Sequence, residues 1–229
     1  MAGTITHIAI DASRVTISGS ADLRAVATSA GRYSVDGIVR EVTTQPAGFF
    51  PVLARAEGLE PTEEYQYRDG TLRLGRAVHA DPVSGTRRVD TTAVWDAGGG
   101  SLAITTSDLT TDALLALLDR FDLRPSPEGL AVLPANGLSW HDAPQLVKEL
   151  PGLGLLEIVP LSNDTAGALP SWAGTEVAGG ELYRDELAPG VPYLVLVTDT
   201  ARVNVLPDEG ALEAATRGAS GLQVEWARA

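Results

Sequence analysis

Apolar and polar residues alternate along most of this chain, in short runs broken by glycine, proline and aspartate, which is the pattern of β-strands. Residues 4–10 open it, with Ile8 and Ile10 on one face and Ile5, His7 and Ala9 on the other. Asp11-Ala12-Ser13 reads as a turn and residues 14–17 as a second strand. Ser20 is placed to cap a short helix over residues 21–30, closed by Gly31, and residues 33–43 read as a longer strand bent at Gly37. Residues 45–61 are mostly connection, with a short helix at 51–57 that has Pro51 in its first turn and Gly58 after its end. The clearest hairpin joins residues 65–67 to 71–74 through Arg68-Asp69-Gly70, because Asp-Gly supplies the positive φ angles of a tight turn. Its second strand runs on to His79, residues 81–85 turn, and residues 87–95 return.

The best-defined stretch is 91–121: a strand ending at Trp95, a glycine turn, a second strand, then an amphipathic helix. Asp108 or Thr110 can cap that helix, and Leu109, Ala113, Leu114, Leu117, Leu118 and Phe121 fall on one side of it. Residues 122–129, DLRPSPEG, read as a linker between two lobes, 1–124 and 125–229. Beyond it, residues 130–133 and 138–140 form strands, and Asp142 caps a helix that buries Leu146, Val147 and Leu150 and stops at Pro151. A strand at 155–159 is followed by a polar, glycine-rich loop at 161–180 with Trp172 isolated in it. Strands at 181–184, 193–198 and 202–206, a helix at 209–217 capped by Asp208, and a strand at 222–226 complete the chain. The fold class expected is α+β, mainly antiparallel sheet with about four short helices in two lobes. Residues 11–17 and 199–205 resemble each other, which suggests internal pseudo-symmetry, though without a fixed repeat period.

Charge narrows the partners. A net charge of -13 opposes binding to nucleic-acid phosphates or anionic membranes. Apolar runs such as 113–118 and 193–197 fall far short of the roughly 20 residues of a membrane helix. The N-terminus has neither a basic n-region nor an apolar h-region, so a soluble, cytoplasmic chain is expected. The absence of cysteine excludes thiol nucleophiles, disulfides and thiolate-held metals. Sixteen arginines accompany a single lysine, Lys148, read here as a solvated residue on the polar side of a short helix.

Candidate chemistry is sparse. Ser139-Trp140-His141-Asp142 puts a serine and a histidine on one strand face with a carboxylate next door, a grouping conceivable for a hydrolase. It lacks the Gly-x-Ser-x-Gly context of a nucleophile elbow, and Asp142 is wanted as a cap. His79 and Asp81 form a weak metal-ligand pair. Gly98-Gly99-Gly100-Ser101 is followed by a strand and not by a helix N-terminus, so it reads as a hairpin turn and not a phosphate loop. Asn163-Asp164-Thr165 matches a glycosylation sequon, meaningful only on a secretory route. No cofactor motif is found. The expectation is therefore a non-enzymatic protein-binding or assembly protein, an adaptor, chaperone-like factor or oligomer subunit. Trp172 and Trp140 are its candidate contact residues, and a protein partner or self-association is implied. The alternative is a small-molecule hydrolase using His141 with a nearby serine or carboxylate.

Overall fold

Period-two alternation becomes strand almost throughout. A computed structural model describes residues 3–80, 85–107, 109–135, 137–162 and 169–229, and these form mainly antiparallel sheet with three helices. The class is α+β as expected, and among the described residues there are three helices where about four were expected. The chain divides into two compact units, one made of Met1–Ser29 with Ala143–Ala229 and the other of Ala30–Asp142.

The first unit is a sandwich of two sheets. Strands β1 (Gly3–Ile8) and β2 (Arg14–Gly19) form a three-stranded sheet with the C-terminal strand, Gln223–Ala227. Register sets His7 opposite Val15 and Val15 opposite Trp226, while Ile5, Ile17 and Val224 form the neighbouring row. The facing sheet includes strands Gln145–Leu150, Gly154–Pro160, Gly180–Ala188, Val191–Val197 and Ala201–Leu206. One row across it reads Leu146, Ile158, Val203, Leu196, Leu182, and these residues share one core with Val15, Ile17, Val224 and Trp226. Helix Leu212–Ser220 adds Ala215 and Ala219 to that core.

The second unit is a sheet with a helix on each face. Its strands are β3 (Ala27–Val35, entering from the first unit), β4 (Ile38–Pro46), β5 (Glu60–Tyr67), β6 (Gly70–Ala80), β7 (Arg87–Asp96) and β8 (Gly100–Thr106), in the order β3-β4-β8-β7-β6-β5. On one face, Leu72, Trp95 and Leu102 form a row, and Leu74, Ala93, Ile104 and Val42 form the next, all buried. The other face carries Val94 and Ala103, covered by Phe50, Leu53 and Ala54 of α1 (Phe50–Glu57). Helix α2 (Thr111–Leu118) begins at Thr110, whose Oγ1 accepts the Ala113 N–H at 3.3 Å. Of the two caps expected, Thr110 fills the role, and Asp108 lies outside the described residues. Thr110→Ala is expected to destabilise the second unit by about 1 kcal/mol, read as faster amide exchange in the first turn of α2.

Several elements differ from expectation. Residues 21–30 are not helix: 21–26 carry turns and irregular backbone, and β3 starts at Ala27. Asp36 (φ 50°) and Gly37 (φ 80°) turn the chain fully, so the expected bent strand is the β3–β4 hairpin. The proline-rich stretch after α2 is a hairpin of β9 (Phe121–Ser126) and β10 (Gly129–Pro134), and the boundary at 124/125 falls within it. A two-stranded ribbon tolerates Pro125 because its edges need no donor there. The helix expected after Asp142 is strand β12 (Gln145–Leu150), preceded by the two-residue β11 (Ser139–Trp140). Asp208 is not a side-chain cap; helix α3 (Leu212–Ser220) starts later, at Ala211. Asp11-Ala12-Ser13 and Asp199-Thr200-Ala201 both precede strands, but only the second strand is followed by a helix.

Candidate functional site

The sole lysine sits where a leucine would be expected. Lys148 projects from β12 on the same face as Leu146 and Leu150, and its row continues through Leu156, Val205 and Leu194, all buried. It is 1% exposed, which overturns its reading as a solvated helix residue. Its Nζ lies 3.1 Å from Nε2 of His7, which occupies an inner position on β1 in the opposite sheet. Nζ also donates to the Ala25 carbonyl oxygen. Burial pushes the Lys148 ammonium down to about 8, against the pull of the Asp22 carboxylate. Burial first, and the Lys148 charge second, push His7 down to about 4. An ammonium donating to a neutral imidazole is thus the resting form, with the His7 ring proton on Nδ1.

The serine–histidine grouping has its own geometry. Ser139 and Trp140 pair with Ser34 and Tyr33 of β3, and His141 donates its backbone N–H to the Arg32 carbonyl at 2.7 Å. Asp142 forms an ion pair with Arg32, and the His141 Nε2 stands 3.8 Å from its other oxygen. The carboxylate is thereby held by a guanidinium, and Ser139 and His141 share no hydrogen bond. A relay needs one imidazole nitrogen on the carboxylate and the other on the hydroxyl. Here Nε2 faces the carboxylate at 3.8 Å, and among the described residues no side chain is hydrogen-bonded to the Ser139 hydroxyl.

His79, on β6, lies 3.5 Å from the Asp90 carboxylate, which Arg88 also holds at 2.9 Å. Asp81 and the sequon at 163–165 lie outside the described residues. Among the described residues no group of three or more His, Asp or Glu side chains is placed to hold a metal, and no helix is long and apolar enough to cross a membrane. Trp172 is 48% exposed in the first unit, and Trp140 is half-buried in the second.

A concave apolar surface lies elsewhere in the second unit. Helix α2 and the tip of the β3–β4 hairpin enclose a groove of about 280 Å³, lined by Val35, Ile38, Leu109, Ala113, Ala116 and Leu117. Arg40, Arg120 and Asp36 stand at its polar positions, and Arg120 approaches Asp36 at 3.9 Å in an exposed pair. Alternation from Val42 puts Arg40 and Ile38 on the buried-row face of the sheet. On that same face β6 and β7 continue past the core through Arg76–Thr91 to Val78–Val89 and then Ala80–Arg87. β5 stops pairing at Arg76 and β8 at Thr91, so this end of β6 and β7 is a two-stranded arm. Ile38 is 49% exposed, Val89 49% and Val78 63%. The sequence carried this signal in the even-numbered run Leu72, Leu74, Val78 and in the Asp36-Gly37 turn, which brings Ile38 back beside Val35. No family model matches this chain, and no curated protein or solved structure matches it significantly.

Proposed function

We propose that this is a non-enzymatic protein-binding protein that receives a segment of a partner protein on the α2 face of its second unit. The observation that carries the reading is the α2 groove together with the uncovered valine pair on the adjacent arm, an apolar face wider than its own helix covers. The proposed occupant is an apolar segment flanked by carboxylates. Arg76, with a 4.0 Å contact to Glu63, and Arg87 border the valines, and among the described residues Arg120 is held by a long contact to the exposed Asp36 that a partner carboxylate can replace with little loss. These arginines stand out on a chain of net charge -13, whose field disfavours nucleic acid and anionic membranes.

Ile38→Glu and Ala116→Arg each place a charge in the groove at an exposed position and should leave the fold intact. The expected result is a stoichiometric partner protein on wild-type protein purified from its native cell, with its affinity for either variant lowered about tenfold or more. A partner held equally by both variants would refute the site. A wild-type dimer, measured by light scattering and dissolved by the same substitutions, would assign the face to a second copy and overturn the proposed occupant.

A further inference from the structure

We propose that the His7–Lys148 hydrogen bond is a proton-operated latch between the two sheets of the first unit, closed while His7 is neutral and opened when His7 takes up a proton. The geometry makes this a true cross-sheet tie. His7 belongs to the row His7–Val15–Trp226 of the three-stranded sheet, and Lys148 to the row Lys148–Leu156–Val205–Leu194 of the facing sheet. All of these side chains are buried, so the two nitrogens meet at 3.1 Å inside an otherwise apolar layer.

Between two basic nitrogens at this distance there is room for one excess proton. Lysine is the stronger base, so the ammonium holds it and the imidazole lone pair accepts. A second proton on His7 removes its lone pair as an acceptor, leaves Nζ only the Ala25 carbonyl, and sets two cations face to face in a medium that screens them poorly. Both would then be driven toward water, and for His7, on the inner face of β1, the way to water is separation of the sheets.

Few other charges bear on the pair. In the turn before β3, Asp22 faces Lys148 but is tied to Arg24 by two contacts of 2.8 Å at the surface. By strand alternation Arg14 on β2, Glu225 on β18 (Gln223–Ala227), Glu149 on β12, Glu157 on β13 (Gly154–Pro160) and Arg202 on β17 (Ala201–Leu206) all project from the outer faces. Among the described residues no carboxylate of these strands therefore enters the layer to neutralise a second proton. The other histidines, His79 and His141, are about half exposed and each faces a carboxylate, unlike His7.

The sign follows from the lowered affinity of His7 for protons. Its contribution to stability is complete above about 6.5, its unfolded value, is lost as pH falls toward about 4, and does not change further below that. Hydrogen exchange resolved along the chain tests the latch. Amides of β1 and β12 are expected to lose protection, on the order of a hundredfold, between pH 6.5 and 4. In His7→Gln, whose side-chain oxygen still accepts from Lys148 but takes no proton, that loss is expected to disappear. Equal loss in wild type and variant would overturn the proposal. Should His7→Gln not fold, NMR titration of the three wild-type histidines decides the matter. A His7 ring that titrates near 6.5 in the folded protein overturns the latch, and one that titrates only as the β1 amides open, below pH 5, supports it.

Discussion

Gly154→Ala is expected to unfold the first unit, or to destabilise it by about 4 kcal/mol or more, while the second unit keeps its fold. Gly154 closes the β12–β13 hairpin opposite Leu150 and has φ +98°, a conformation L side chains rarely adopt. The larger effect is contact. A methyl group there would collide with the Leu206 carbonyl oxygen and stand 2.9 Å from the Pro207 Cα. Both obstacles are backbone at the end of β17, so no side chain can rotate away. Relief would need β13 to part from β17 where Leu155 pairs with Leu206, at the centre of the larger sheet. Gly152→Ala, two residues earlier, is the control. It has φ +79° with nothing within 4 Å of the added carbon, so only the conformational penalty of about 1 kcal/mol applies. Urea unfolding with exchange read separately in the two units measures both. A Gly154→Ala protein as stable as Gly152→Ala would contradict the collision.

The same hairpin shows why part of the fold was hidden in the sequence. Residues 145–150 read QLVKEL, and the inward set is Leu146, Lys148, Leu150. With a lysine in the middle of that set, period-two alternation fails on inspection. The set Leu146, Val147, Leu150, by contrast, fits a helical face behind an apparent Asp142 cap. The residue that breaks the pattern is the one that ties the two sheets. Elsewhere the pattern served well. The helices Phe50–Glu57 and Thr111–Leu118, the β5–β6 hairpin and the strands on either side of Trp95 stand where alternation, caps and glycines put them, although the turn of that hairpin is Arg68-Asp69, with the positive φ on Arg68 and Gly70 already paired with Tyr67. The β3–β4 hairpin was missed although its Asp36-Gly37 turn is the same dipeptide signal, because the apolar run on both sides read as one strand. The β9–β10 hairpin was missed because two prolines and a glycine look like a linker whether or not a neighbouring strand gives them a ladder to join.

The candidate site was legible only in pieces. Alternation alone puts His7 on a face with Ile5, but what it meets depends on which sheet lies opposite. Local patterns do not encode that pairing, since residue 7 and residue 148 are 141 positions apart. The groove follows the same logic. The apolar side of α2 is plain from Leu109, Ala113 and Leu117, yet whether that side is wholly covered depends on how far the β3–β4 tip reaches. Trp172 and Trp140 were singled out for being aromatic in or near loops, a property of type and not of place. Trp172 is 48% exposed, and Ile38, Val78 and Val89, which the sequence reading did not single out, are exposed to the same degree or more.

Lys148→Met is expected to leave the first unit as stable at pH 7 as the wild type, or more stable by about 1–3 kcal/mol. Intuition about a hydrogen-bonded residue gives the opposite sign, so the magnitudes decide. The lowering of Lys148 from its ordinary 10.5 to about 8, caused by burial against the pull of Asp22, means that the folded unit disfavours the charged form by about 3 kcal/mol. Methionine has similar length and bends to fill irregular space, so it can complete the row with Leu156 without leaving a void. The substitution strands little. Ala25 is half-buried, so water can reach its carbonyl, and the His7 acceptor loses a bond worth about 1 kcal/mol. The pH dependence identifies the cause. Because the folded value is lowered, wild-type stability from this group grows as pH rises from about 8 to 10.5. The advantage of the methionine variant should therefore be full at pH 7 and gone by about pH 10.5. Urea unfolding of both proteins across that range measures the difference. A loss of more than about 1 kcal/mol at pH 7, or an advantage that does not shrink with rising pH, would show that the ammonium is held by more than His7 and the Ala25 carbonyl.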